Sequence, residues 1–338
     1  VIEVEQRHDS PDRGAVLVWL ALSMSVLVGL GALVVDVGRM YVEERELQNG
    51  ADASALAAAT LCADGRCAQA TTAAAALADA NSSDGASGVE LCGRGAPGIP
   101  SCVSHPPGLS ASTAYVTART TTLDPSNDDP SKLDLLLAPL LGGAGPDPAL
   151  DAGASASFGA LSSTTTLNLV MSQCEFLRVG GVIGSGQVSN QVVEILFREE
   201  ASTCVRPNGF ALPGGFGWVQ GAVRCNRPIT VPGSLPERPG KSTDNDCDLS
   251  SLVNRTVSLP VFSGTNGLGG SNGVYVIDGF VSFVMTGYSF PGTRHPNGFR
   301  CSGGADVACI RGYFTTALLS SGGTTGVDYG TRAVALVD

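Results

Sequence analysis

The chain has 338 residues, a formal net charge of −11, and only two lysines, Lys132 and Lys241. Such an acidic, lysine-poor surface repels phosphate backbones, so nucleic acid is not an expected partner. Ten cysteines without a CxxC pair, and three widely spaced histidines (His8, His105, His295), also lack the usual ligand spacing of a zinc or haem site.

Residues 1–13 form a polar tail that begins with Val1 rather than an initiator Met, so the start is expected to be trimmed or truncated. Residues 14–35, GAVLVWLALSMSVLVGLGALVV, carry no charge. At about 1.5 Å per residue they span roughly 33 Å as a helix, enough to cross a hydrocarbon core. The run is too long for a signal-peptide core, and neither an A-x-A site nor a lipobox cysteine closes it. Arg7 and Arg13 precede it and Arg39 and Arg45 follow, so the charges set the orientation only weakly. All ten cysteines lie after the span. Because disulfides form in oxidising compartments, the C-terminal side is expected outside the cell. Within the span, Ala21, Ser25 and Gly29 fall at i, i+4 and i+8, small residues at the spacing that lets two membrane helices approach.

Past Val35 the apolar positions thin to a stripe of Val37, Met40, Leu47, Ala51, Ala55, Ala58 and Leu61, with charged residues between them. No proline interrupts 14–61, so one helix of roughly 70 Å is predicted, apolar first and amphipathic afterwards. Cys62 and Cys67 then staple a turn, and an alanine-rich helix (Ala68–Ala80) returns.

Arg13-Gly14-Ala15, Val35-Asp36-Val37-Gly38-Arg39, Glu46-Leu47-Gln48-Asn49, Ala51-Asp52-Ala53 and Leu56-Ala57-Ala58-Ala59 stand in order. Over about residues 13–80 the chain resembles the N-terminal region of TadE/TadG-like proteins of bacterial tight-adherence (Flp) pilus systems. Phe210–Trp218 (FALPGGFGW) and Tyr275–Phe280 (YVIDGF) resemble, more loosely, the long TadG-related proteins of high-GC Gram-positive bacteria. The resemblance implies a membrane-anchored, extracytoplasmic part of a pilus system and not a catalyst. Some family members carry a von Willebrand A domain whose metal site needs D-x-S-x-S. Asp52-Ala-Ser54-Ala-Leu56 and Asp248-Leu-Ser250-Ser-Leu252 both lack the last serine, so that site is not carried over. Type IV pilins start their apolar helix at the mature N-terminus; here it starts near residue 14, so Glu5 is not assigned the pilin glutamate's role.

The region beyond is read as a Gly/Ser/Pro-rich connection (81–110), a strand at Ala114–Leu123, a short amphipathic helix at Lys132–Leu141, and Ala154–Ala160 leading to a strand at Thr164–Met171. Further strands are predicted at Val188–Phe197, Phe216–Arg224, Thr256–Phe262, Gly273–Tyr288, Arg311–Leu318 and Thr331–Val337, with a Pro/Asp-rich surface loop at 226–248. The fold class is therefore α+β: a long N-terminal helix, then a disulfide-rich, mainly antiparallel β head built as a sandwich or barrel. Its segments are the tail 1–13, the helical region 14–80, a linker with a mixed α/β subdomain at 81–163, and a β domain at 164–338. Sequence proximity pairs Cys62 with Cys67, Cys92 with Cys102, and Cys301 with Cys309. Of the remaining four, Cys174–Cys204 and Cys225–Cys247 are favoured, although sequence does not fix connectivity.

Motifs that would make an enzyme fail their context. Gly269-Gly270-Ser271-Asn272-Gly273 is a literal GxSxG, but a β-run follows it where the nucleophile elbow needs a helix, and His295, the only later histidine, precedes a proline. Gly240-Lys241-Ser242 ends like a P-loop without its first glycine. The cluster Asp244-Asn245-Asp246-x-Asp248 lacks EF-hand spacing and reads as an acidic loop. Asp128/Asp129 and Glu199/Glu200 read as solvated faces, and Phe210, Phe216 and Trp218 as core rather than an exposed patch. No catalytic, metal or cofactor site is expected. The expected role is a non-enzymatic pilus component at the cell surface, as a single-pass membrane protein or an extracellular filament, its helix 14–35 anchored in the membrane or in a filament core, with copies of itself and other pilus proteins as partners. A tethered monomeric adhesin or assembly factor is the alternative, and a tethered serine hydrolase the third.

Overall fold

The computed structural model describes residues 13–124, 126, 131–133, 135, 149–198, 201–205, 209, 211–221, 225–243, 247–267, 272–304, 306–320 and 322–337. Their contacts divide the chain into two units. One comprises Val1–Ser54, Ala74–Glu90 and Ala118–Gly153; the other comprises Ala55–Ala73, Leu91–Thr117 and Ala154–Asp338. The predicted helix Lys132–Leu141 and the motif glycines and serine at 269–271 fall largely or wholly outside the described residues.

Helix α1 (Arg13–Ala63) is continuous for 51 residues, which the absence of proline permits. Helix α2 (Ala70–Ala80) follows a 3-10 turn at Cys67–Gln69. In the first unit, α1 buries Leu47, Ala51 and Ser54, and α2 buries Ala74 and Ala78. Small side chains let the two backbones touch: the Ser54 hydroxyl donates to the Ala74 carbonyl at 2.8 Å. A methyl on Gly50 would lie 3.4 Å from the Ala78 Cα. The predicted stripe therefore holds at Leu47 and Ala51 but not at Val37, which is 54% exposed.

Strands β1 (Ser87–Arg94), β2 (Ala114–Thr122) and β3 (Asp151–Ala160) come next. β1 corrects the reading of 81–110 as a plain connection. Its glycines serve pairing rather than flexibility: a methyl on Gly93 would run 2.5 Å from the Tyr115 carbonyl oxygen on β2. In the first unit, Thr120 of β2 is fully buried and donates from its hydroxyl to the Leu47 carbonyl of α1 at 2.8 Å.

The second unit holds the remaining strands: β4 (Ser163–Leu167), β5 (Leu169–Ser172), β6 (Val193–Leu196), β7 (Thr203–Val205), β8 (Ala211–Pro213), β9 (Phe216–Val219), β10 (Asn226–Thr230), β11 (Gly233–Arg238), β12 (Thr256–Asn266), β13 (Val274–Phe290), β14 (Thr293–His295), β15 (Cys309–Thr315), β16 (Ala317–Leu319), β17 (Val327–Asp328) and β18 (Thr331–Val337). A short helix α3 (Gln173–Arg178) is capped by the Ser172 hydroxyl. β18 joins a five-stranded sheet of order β1-β2-β3-β18-β16, and the main sheet runs β11-β9-β5-β12-β13-β15-β6. Most pairings are antiparallel; β5–β12, β13–β17 and β16–β18 are parallel.

β11 pairs with both β9 and β13, so β11, β9, β5, β12 and β13 close into a ring. The barrel alternative is the one realised. Val170, Val219, Leu235, Phe262, Tyr275 and Ile277, from all five strands, share one core. The opposite faces supply a second core, in which Phe216, Trp218, Phe283 and Phe314 are fully buried. A bulge at Asp278 allows β13 to serve both: Val261 pairs with Gly279 and Phe262 with Ile277, so one residue is skipped. Tyr275 and Ile277 consequently face the ring interior, whereas Val281, Phe283 and Met285 face the other core.

Two sequence readings change here. The stretch read as a loop at 226–248 contains β10 and β11, because Ile229, Val231, Leu235 and Glu237 all bury their side chains. Its prolines mislead: among the described residues Pro228 lies on a strand paired with β4 alone, where a missing N–H is tolerated. Conversely, the strand predicted from Val188 starts at Val193, because the Ser189 hydroxyl takes the Gln191 N–H at 3.3 Å in a local turn. All five expected cysteine pairs are joined, including Cys174–Cys204 and Cys225–Cys247.

The tightest point in the ring is Gly217, where an added methyl would coincide with the Tyr275 hydroxyl. Gly217→Ala is expected to cost about 1–3 kcal/mol by overpacking. Tyr275→Phe in the same chain should return part of that loss, which chemical denaturation of the four combinations measures.

Candidate functional site

The most unusual surface is the first half of α1. From Val16 to Leu30 its large apolar side chains are exposed on every side of the helix; Trp19 is 72% exposed and Val28 66%. The helix has a mean hydropathy of 2.3 over its most apolar window, of which only 6% is buried. Leu, Val, Met and Ala sustain helix at each of these positions, and the two hydroxyls are satisfied internally. Ser23 donates to the Trp19 carbonyl and Ser25 to the Ala21 carbonyl, both at 2.8 Å. Both serine hydroxyls of the run are thereby paired within the helix, as a hydrocarbon environment favours.

Ala21 and Ser25 are exposed and Gly29 is half-buried. Their row thus lies on the same bare surface, with the Ser25 hydroxyl bonded to Ala21 rather than turned outward for another helix. The chain's own cover begins at Ala32 and Asp36, which are 5% and 6% exposed. Periodicity alone did not show this change, because Asp36 is charged and Val37 is apolar, yet Asp36 is the buried one.

Just beyond the apolar span, a cleft of about 660 Å³ lies within the first unit. Val35, Gly38, Arg39, Val42 and Glu43 of α1 line it, with Ser83, Asp84, Asp124, Ser126 and Leu133. Burial, then the charges of Asp84 and Glu46, push the Glu43 carboxyl above its ordinary value. The hydroxyl and N–H of Ser126 hold the Asp124 carboxyl below its own. Among the described residues no group of three metal-capable side chains gathers, here or elsewhere.

The residues of the weaker motifs take structural places. His295 stacks on Tyr288 with ring centroids 6.2 Å apart. Lys241 follows β11 and its ammonium reaches the Asp306 carbonyl at 3.4 Å; among the described residues 240–243 no helix opens. Asp248 caps the 3-10 turn Leu249–Leu252 by accepting from the Ser250 N–H at 3.0 Å. Phe216 and Trp218 are fully buried. Asp244–Asp246, Phe210, Asp128, Asp129, Glu199, Glu200 and Ser271 lie outside the described residues.

The bare apolar helix leads without a break into a buried alanine seam, and this stretch coincides with a known sequence pattern. Residues 14–61 match the Tad family, described as "Putative Flp pilus-assembly TadE/G-like". The match ends two residues before α1 does. No curated protein and no solved structure matches the chain. The Tad-like region and the apolar helix together fit a membrane-anchored, pilus-associated protein.

Two outcomes are expected. Leu22→Arg with Val26→Arg adds two charges to one face of the span, at roughly 5–7 kcal/mol for the pair at mid-bilayer. The double variant should leave the carbonate-resistant membrane fraction, where the parent chain stays. Glu43 binds its proton more tightly folded than unfolded, so its contribution to stability falls as pH rises from its ordinary value through its raised folded value. Melting of the full chain in detergent across that window should show the fall, and Glu43→Gln should flatten it.

Proposed function

We propose that the chain is a non-enzymatic structural component of a bacterial Flp-type pilus system, fixed through residues 14–35 and displaying the β head outside the cell. The observation that carries this reading is the bare apolar half of α1 within the Tad-like match. Such a surface is stable only in lipid or against other helices. Ala21, Ser25 and Gly29 are the residues through which copies of the helix associate, since small side chains permit close backbone approach. Five disulfides in the part beyond the span support an extracytoplasmic head. Other pilus components are the further partners that the family match supports.

Negative-stain electron microscopy of material sheared from producing cells, labelled with antibody to the head, tests the role. Continuous label along filaments is the expected result for a structural subunit. Label confined to tips or bases would make it a minor component. Retention of all the protein in membranes would favour the tethered adhesin or assembly factor. Ser25→Leu with Gly29→Leu should abolish assembly while leaving the head folded; normal filaments from that variant would remove self-association through this face.

A further inference from the structure

The last turn of α1 belongs to the second unit, and its free carbonyls have an uneven fate. A helix end leaves four carbonyl groups without intrahelical partners. Thr60, Leu61 and Cys62 find theirs locally, accepting from the N–H groups of Asp64, Arg66 and Gly65 at 3.0, 2.8 and 3.1 Å. Gly65 takes the left-handed conformation, φ 75°, that this kind of turn needs. The Ala63 carbonyl is instead taken by the guanidinium of Arg332, which lies 269 residues further along the chain.

Arg332 is placed for this by more than its own strand. It sits on β18, paired with Ala160 of β3 and Leu318 of β16. Its Nη2 donates to the Ser185 carbonyl at 2.6 Å and to the Asp328 carboxylate at 2.8 Å, and its Nε donates to the same carboxylate at 3.0 Å. Asp328 is held in turn: its other oxygen accepts from the Gly330 N–H at 2.8 Å, and its carbonyl accepts from the Gly184 N–H at 2.9 Å. The Arg332 and Asp328 side chains are 20% and 15% exposed. The pocket is shaped around them, since a methyl on Gly186 would lie 2.6 Å from the Asp328 carboxylate and 2.7 Å from the Arg332 guanidinium.

We propose that Arg332, oriented by Asp328, is a clasp that fixes the C-terminal end of α1 to β18. A guanidinium suits this place twice over: its forked donors serve three acceptors at once, and its charge opposes the partial negative charge of a helix C-terminus. Tension entering through the anchor is then delivered to a sheet strand, not only through the covalent turn closed by Cys62–Cys67. This mechanical role rests on the anchored reading proposed above; the clasp itself does not.

Hydrogen exchange followed by mass spectrometry on the full chain in detergent tests the clasp without requiring a pilus or a bilayer. Arg332→Lys keeps the charge but not the fork. It should raise exchange in 57–66 and in 182–188 about tenfold, the effect of losing one charge-assisted hydrogen bond. Protection of β12, β13 and β15 should remain at the parent level. Asp328→Asn, which leaves the arginine in place but weakens its hold, should raise exchange in the same two segments by a smaller factor. Unchanged exchange at 57–66 in both variants would overturn the clasp. So would a uniform rise through the whole head, which would make Arg332 a general stabilising residue.

Discussion

The first half of α1 presents an apolar surface that fits lipid or other helices better than water. Burying one Leu, Val or Phe side chain is worth about 1.5–3 kcal/mol, so the exposed run from Val16 to Leu30 amounts to roughly tens of kcal/mol that the isolated chain forgoes. Lipid or companion helices would supply that burial. The constraint also explains what the helix leaves out. It has no proline, no charge from 14 to 35, and hydroxyls that bond back to their own turn, because each orphaned polar group would cost more in that environment than in water.

The same helix changes its packing rule partway along. Up to Leu30 its bulk faces outward; from Leu47 onward it offers alanine, serine and glycine inward to other elements of the chain. Burying alanine gains little area per residue, and the gain comes from closeness: the Ser54 hydroxyl reaches a carbonyl of α2 directly. Large aromatic side chains fill the core of the head, among them Phe216, Trp218, Phe283 and Phe314. Disulfides then pin the loops where Gly and Pro deny regular pairing.

Much of this was legible in the residues. The apolar run and the lack of a breaker dictated α1, and Ala68–Ala80 announced a second helix almost to its ends. The alternation of β-branched residues located β2, β12, β13 and β18 to within a few positions. What was hidden depended on contacts distant in sequence. Pro228 and Pro236 made β10 and β11 look like loop, and only their pairing with β4, β9 and β13 reveals them as strands. The glycines of 81–110 suggested slack, whereas Gly93 is required by a neighbouring backbone. Asp36 could not be recognised as buried, since a carboxylate next to an apolar run reads as the edge of solvent. The contact of Arg332 with α1 carried no local signal, because its acceptor there lies 269 residues earlier in the chain.

Bulges at Asp278 and Thr286 give β13 three phases within one strand. Before the first, odd-numbered residues serve the ring; between the two, Val281, Phe283 and Met285 serve the opposite core; after the second, the even-numbered Tyr288 and Phe290 serve that core. A one-residue insertion or deletion elsewhere in β13 would put every inward side chain between it and the nearest phase change on the wrong face. A compensating change rescues the strand only if it falls within the same phase, bounded by Asp278 or Thr286. The length of each segment of β13 is therefore inherited as a fixed quantity, even where the identity of its residues is free to drift.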